Sequence, residues 1–101
     1  MKKRTYTISK KASVDLEEIW LFTFENWSRE QADRYFNLLL EEIEFITENP
    51  ESGKSINHIR ENYRSAKVKS QLIFYKIKEA HLIEVIRILH ERMDIENRLK
   101  D

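Results

Sequence analysis

The chain has 101 residues, of which 41% are apolar and 36% are charged, and its 18 basic and 18 acidic groups give a formal net charge of zero. This size and balance predict one folded domain over residues 1–101 rather than a disordered segment. The absence of cysteine excludes disulfides, zinc-thiolate sites and thiol nucleophiles. The sequence has neither a signal-peptide core nor an apolar run long enough to cross a membrane, so we expect a cytoplasmic protein without membrane contact.

The N-terminal half predicts one strand followed by two helices. Residues 4–8 alternate and are rich in strand formers. Ser9 suits the N-cap of a first helix, whose apolar residues recur at three-to-four-residue steps. Ser28 begins a capping box, and the second helix that follows should end just before Pro50. Because the break at residues 26–28 is short, the two helices should form an antiparallel hairpin.

The C-terminal half predicts three strands joined by hairpins. Residues 51–62 contain the only glycine and are expected to form a loop that crosses from the helices to the sheet. Strands are predicted at 63–69, 71–77 and 82–89, with connections short enough to make them antiparallel. The last of these is the most apolar, so it should be central and pair with the first strand. The result is a two-layer α+β fold, β-α-α-β-β-β, in which a helical hairpin packs on a mainly antiparallel four-stranded sheet.

Basic residues make the second half of the chain the place to look for a functional polar surface. Residues 51–101 carry 11 basic and 8 acidic groups, against 7 and 10 in residues 1–50. Cations at strand ends can stabilise a scissile phosphate or bind an acidic protein segment. Two of them also have purely structural interpretations: Arg87 could pair with a nearby glutamate, and His90 could simply terminate its strand. The candidates are Arg64, Lys67, Arg87, His90 and Arg92.

Other site chemistries find little support in the sequence. The three histidines, His58, His81 and His90, are far apart and lack metal-ligand spacing, so we predict neither a metal nor a cofactor. Aromatic residues cluster on the helical hairpin instead. They either fill the core or leave an apolar patch that marks a partner surface.

Six short motifs follow one another along nearly the whole chain. They are Ala12-x-x-Asp15-Leu16-x-x-Ile19, Trp27-Ser28-x-x-Gln31-Ala32-x-x-Tyr35, Asn49-Pro50-x-x-Gly53, Tyr63-Arg64, Ile73-x-Tyr75 and Ile86-Arg87-Ile88-Leu89-His90-x-Arg92-Met93-Asp94. Each motif alone is common. In this order the set resembles the ParE toxins of the RelE/ParE superfamily, whose fold has the same order of elements.

The resemblance implies a bacterial type II toxin–antitoxin module. In such a module a ParD-like antitoxin wraps the toxin with its C-terminal segment, commonly in a heterotetramer built on an antitoxin dimer. ParE-type toxins act on DNA gyrase, whereas RelE-type relatives cut messenger RNA on the ribosome. We expect no sequence-specific nucleic-acid binding by the toxin alone.

Two departures from the RelE pattern favour the ParE branch. An ungapped alignment places Leu72 where RelE-like nucleases have an arginine, and an aliphatic side chain cannot stabilise phosphate charge. Residues 95–101 contain no tyrosine and no histidine. We therefore predict a gyrase-directed binding protein rather than an enzyme. The alternatives are a ribosome-dependent mRNA endoribonuclease that uses the same basic residues, and an antitoxin-binding relative without toxicity. The residues predicted to contact the antitoxin are Leu16, Trp20, Phe24, Trp27 and Tyr63.

Overall fold

The computed structural model describes residues 3–100 and confirms the predicted α+β class and element order, with one additional strand. In chain order the elements are β1 (Thr5–Ile8), α1 (Lys10–Asn26), α2 (Arg29–Glu48), a single 3-10 turn (Pro50–Ser52), β2 (Lys54–Ser55), β3 (Tyr63–Val68), β4 (Gln71–Glu79), β5 (Leu82–His90) and α3 (Ile95–Arg98).

Both long helices begin where the sequence predicts. The Ser9 hydroxyl accepts a hydrogen bond from the backbone N–H of Ala12 at 3.0 Å, and the Ser28 hydroxyl accepts one from Gln31 at 3.1 Å. These bonds satisfy amide groups that have no partner inside the first turn of a helix. The link between α1 and α2 is only Trp27 and Ser28, so the helices fold back on each other as a hairpin.

The sheet has five strands rather than the predicted four, in the order β1-β5-β4-β3-β2. The extra strand, β2, lies in the segment predicted to be a loop and pairs with β3 through Lys54 and Ser65. Two residues are too few to produce a recognisable alternation, which is why the sequence did not reveal it. The predicted pairing of the first strand with β5 is confirmed and is parallel. The centre of the sheet is β4, not β5, because β3 and β2 extend the sheet on the far side.

Beyond the end of β1, residues of helix α1 and its N-cap form hydrogen bonds with the same edge of β5. The strand pairing ends at Ile8, opposite Val85. Ser9, the N-cap of α1, then donates two hydrogen bonds to β5: its N–H donates to the Val85 carbonyl at 2.9 Å and its hydroxyl donates to the Ile86 carbonyl at 2.7 Å. Further along α1, the Asp15 carboxylate accepts a hydrogen bond from the backbone N–H of Ile88 in β5 at 3.0 Å. Backbone groups that β1 leaves unpaired are thus satisfied by the helix, which fixes α1 against the end of the sheet.

Apolar residues cover both faces of the sheet. The larger core lies between the sheet and the helical hairpin and includes Leu39, Ile43, Ile46, Ile73, Tyr75, Ile83, Val85 and Ile88. A smaller core lies on the opposite face, under the loop after β2 and under α3, and consists of Ile56, Tyr63, Phe74, Leu89 and Leu99. The predicted two layers are therefore supplemented by a partial third.

A buried tyrosine holds the segment that crosses from the helices to the sheet. Tyr75 in β4 is fully buried, and its hydroxyl donates to the Pro50 carbonyl at 2.7 Å. The same oxygen accepts from the N–H of Gly53 at 3.0 Å. Burial raises the pKa of the Tyr75 phenol above its ordinary value, and the hydrogen bond with Gly53 opposes that rise. The crossing segment is thereby tied to the middle of the sheet.

Candidate functional site

An open apolar groove of about 660 Å³ lies between the helical hairpin and the end of the sheet where β4 begins and β5 ends. Its more buried lining comes from Ile19 and Thr23 in α1, Tyr35 in α2 and Ile88 in β5. The attachment of α1 to the edge of β5 brings these elements together. Grooves of this volume and apolar character are typical of binding sites.

Three large apolar side chains on the margin of the groove project into solvent. Phe22 is 60% exposed, Trp27 68% and Met93 42%. The Phe22 and Trp27 rings pack against each other with their centroids 6.1 Å apart. Exposing this much apolar surface in one place is unfavourable in water, so such a patch marks a surface that another molecule covers.

Polar groups of the groove are mostly uncharged hydrogen-bonding groups. The Nδ1 atom of His90 accepts from the backbone N–H of Arg92 at 3.1 Å, which in the neutral ring leaves the other nitrogen as an N–H donor. Burial raises the pKa of the Tyr35 phenol, while hydrogen bonds with Ser70 and Gln71 oppose that effect. Gln31, Ser70 and Gln71 also line the groove. A bound segment would therefore meet an apolar surface with hydrogen-bonding groups at its borders.

Two of the five residues predicted to form the functional surface make hydrogen bonds that connect parts of the fold. Arg87 donates from Nε and Nη2 to the Asp15 carboxylate at 2.8 and 3.0 Å, and both side chains are largely buried. The expected pairing of Arg87 with an acid is therefore present, although its partner is an aspartate 72 residues away rather than a nearby glutamate. Arg64 donates to the Gly53 carbonyl at 2.8 Å and so holds the crossing segment.

The other three candidate residues lie at one end of the sheet, where His90 lines the groove. Lys67 forms an exposed ion pair with Glu91, with 2.8 Å between Nζ and Oε2, and the contact lowers the pKa of the Glu91 carboxyl. Glu91 follows His90, and Arg92 follows Glu91 at the exposed turn after β5. The structure thus brings Lys67, His90 and Arg92 together, but it does not gather all five candidates into one site.

The predicted antitoxin contacts are divided between surface and core. Leu16 and Tyr63 are buried, in the larger and the smaller core respectively, so neither presents the surface that the sequence analysis expected of it. Trp20 is half-buried; it donates to Asp33 at 2.9 Å and stacks on exposed Phe24 with ring centroids 5.2 Å apart. Trp27 lies on the margin of the groove.

Sequence reasoning did not select Phe22 and Met93, which share that margin with Trp27. Phe22 falls off the apolar stripe of α1, and an off-stripe aromatic residue is a usable signal for exposure. Met93 gave no such signal. It lies 71 positions after Phe22 in the chain and reaches the groove because it follows the end of β5.

Two negative findings hold for the part of the chain that the structure describes. In residues 3–100, no group of three or more histidine, aspartate or glutamate side chains is placed to hold a metal ion. Within the same range, no helix has both the length and the apolar character of a membrane span.

The fold and the groove define a small α+β domain with an exposed apolar groove, and comparison with known proteins identifies its family. Residues 6–95 match the family described as ParE toxin of type II toxin-antitoxin system, parDE. The chain is 36% identical over 94 residues to Toxin ParE1 of Mycobacterium tuberculosis, covering 93% of this chain and 96% of the relative. It is 34% identical over 91 residues to Toxin ParE1 of Caulobacter vibrioides, covering 90% and 93% respectively. The chain therefore belongs to the ParE toxin family.

A solved structure shares the fold. The chain superposes on a structure described as the chromosomal ParDE TA system from P. aeruginosa with a TM-score of 0.74, covering 86% of this chain and 95% of the other. The sequence identity over this match is 17%, so the likeness shows the common architecture.

Proposed function

We propose that this chain is a single-domain cytoplasmic toxin that inhibits DNA gyrase and that a ParD-type antitoxin neutralises it by covering the apolar groove. Membership of the ParE family supports the toxin role. Gyrase as the target, the antitoxin and a heterotetramer built on an antitoxin dimer follow from the resemblance to ParE-type modules. The protein acts by binding rather than by catalysis.

The observation that carries the antitoxin proposal is the exposure of Phe22, Trp27 and Met93 around one groove. A toxin kept inactive by a partner needs a surface on which that partner gains binding free energy, and burial of aromatic side chains is a main source of it. The groove offers those side chains together with hydrogen-bonding groups at its borders. An apolar antitoxin segment that fills it would remove the patch from water.

The arrangement of the cations supports the non-enzymatic proposal. A metal-independent ribonuclease needs a general acid, a general base and cations placed around one phosphate. Arg87 is bound to Asp15 and Arg64 to the Gly53 carbonyl, so both already have structural partners. Leu72, which aligns with an arginine of the nucleases, packs against the smaller core.

Controlled expression in a bacterial host tests the target. The readouts are growth, a DNA-damage reporter and the integrity of cellular mRNA. Growth arrest with DNA damage and intact message is the expected result. Arrest with cut message and no DNA damage would replace gyrase by the ribosome as the target, and unimpaired growth would indicate a relative without toxicity.

A reconstituted assay tests the same proposal with purified components. The chain should inhibit supercoiling of a relaxed plasmid by gyrase, and adding its ParD-type antitoxin should restore supercoiling. Light scattering coupled to size exclusion then gives the mass of the complex and tests the heterotetramer. Inhibition that the antitoxin does not relieve would contradict neutralisation through this pair.

A further inference from the structure

The fully charged residues that line the groove are acidic, whereas Lys67 and Arg92 lie beside the groove without lining it. Among its described lining residues, the only ones with a full charge at neutral pH are Asp15 and Glu18, and both are carboxylates. Lysine and arginine contribute nothing to this lining, although the chain as a whole is balanced. A bound segment therefore meets acidic rather than basic side chains within the lining of the groove.

The two carboxylates differ in whether their negative charge has a partner within the protein. Asp15 is buried and already accepts from Arg87 and from the backbone of Ile88. Glu18 lies one turn later on the same helix and is exposed, and among residues 3–100 it has no ion-pair partner. Glu18 is thus the carboxylate that a bound segment meets.

We infer that the groove accepts an antitoxin segment that combines apolar anchor side chains with a lysine or arginine positioned to pair with Glu18. This inference rests on the proposed neutralisation and adds the chemistry by which the toxin selects its antitoxin. Covering the groove excludes water from around Glu18, which strengthens its attraction to a cation and makes an unpaired or like-charged neighbour costly. Glu18 is a specificity-determining residue: it favours a basic segment and disfavours an acidic one of equal apolar area.

Substitution of Glu18 with a matched control tests the inference. The control is Glu44→Lys, which makes the same change of net charge at an exposed position of α2 away from the groove. The affinity of each toxin variant for the full-length ParD-type antitoxin is measured by calorimetry. We expect Glu18→Lys to weaken binding by about tenfold or more and Glu44→Lys by less than about twofold, as is typical of interface and remote charges respectively. Equal effects of the two substitutions would overturn the inference.

A charge-swap experiment identifies the partner residue. Each lysine and arginine of the antitoxin segment is replaced in turn by glutamate and titrated against Glu18→Lys toxin. One of these variants should recover affinity for the variant toxin while losing it for the wild type, as a direct pair requires. Recovery by none of them would overturn the inference.

Two further measurements separate the possible failures. Thermal unfolding of each lysine variant should match that of the wild type, because lysine is a good helix former at an exposed helical position. Glu18→Gln keeps the shape of the side chain and removes its charge, so its binding to the antitoxin should depend less on salt concentration than that of the wild type. If the wild-type toxin itself does not bind the antitoxin, the proposed function fails. If it binds and Glu18→Gln leaves both affinity and salt dependence unchanged, only the inference fails.

Discussion

The Asp15 carboxylate receives two hydrogen bonds from the Arg87 guanidinium, at 2.8 and 3.0 Å, and thereby joins the first helix to the last strand. The side chains are only 9% and 15% exposed. The same carboxylate accepts from the N–H of Ile88 at 3.0 Å, at the edge of β5 beyond the reach of β1. One side chain therefore satisfies a buried cation and a strand edge at once.

Removing Asp15 should cost more stability than removing Arg87. Asp15→Ala leaves both the guanidinium and the Ile88 N–H without this acceptor, and breaking a buried pair typically costs about 3–5 kcal/mol. Arg87→Ala should cost less, because Asp15 keeps its backbone donor. Urea unfolding measures both, with exposed Glu17→Ala as a control expected to stay within about 0.5 kcal/mol of the wild type. A larger loss for Arg87→Ala than for Asp15→Ala would contradict this reasoning.

This pair also shows where sequence reasoning ends. The caps at Ser9 and Ser28 were predicted correctly because each depends on residues within one turn of the chain. The partner of Arg87 is 72 positions away. Such contacts are set by the packing of α1 on β5, which no local pattern encodes.

The candidate site follows the same rule. The sequence left open whether the aromatic residues of the helical hairpin fill the core or form an apolar patch, and the structure shows Phe22, Phe24 and Trp27 exposed. The groove itself could not be predicted, because its two sides come from the helical hairpin and from the end of β5. Burial of Tyr63 was missed for a related reason: the second face of the sheet is covered by a loop and α3, whose docking depends on tertiary contacts. Leu16 is buried in the larger core, on the apolar stripe by which α1 packs against the sheet.

Gly53→Ala should destabilise the protein although the backbone of Gly53 suits any residue. Its φ of -71° and ψ of 155° lie in the extended region, where glycine-to-alanine changes normally stabilise by about 0.4–1 kcal/mol. Here an added Cβ would lie 2.3 Å from the Tyr75 hydroxyl oxygen and 2.8 Å from its ring. We expect a loss of about 1–3 kcal/mol, as in other overpacked sites. Ser55→Ala in the neighbouring β2 serves as the control in chemical unfolding, and an increase in stability for Gly53→Ala would refute the close packing.

Lys69→Asn should stabilise the protein. Lys69 lies in the two-residue turn between β3 and β4 with φ at 56°, a left-handed conformation that costs a residue such as lysine about 1–2 kcal/mol. Asparagine tolerates this conformation better, so a gain of about 0.5–1 kcal/mol is expected. Lys69→Ala removes the charge without relieving the strain and should show no such gain. Equal gains from both substitutions, measured by thermal unfolding, would point to charge rather than backbone conformation.

Trp27→Ala should weaken antitoxin binding while leaving the fold stable. Trp27 is 68% exposed, so truncating it removes little buried contact and should change the free energy of unfolding by less than about 0.5 kcal/mol. On the margin of the groove it is suited to be an anchor, and loss of an aromatic anchor typically costs at least about 2 kcal/mol of binding free energy, or about 30-fold in Kd. Phe45→Ala is the matched control, since Phe45 is an aromatic residue of α2 with 52% exposure that does not line the groove. Calorimetric titration of the antitoxin into each variant should show a large loss for Trp27→Ala alone; similar affinities for the two variants would place the antitoxin on another surface.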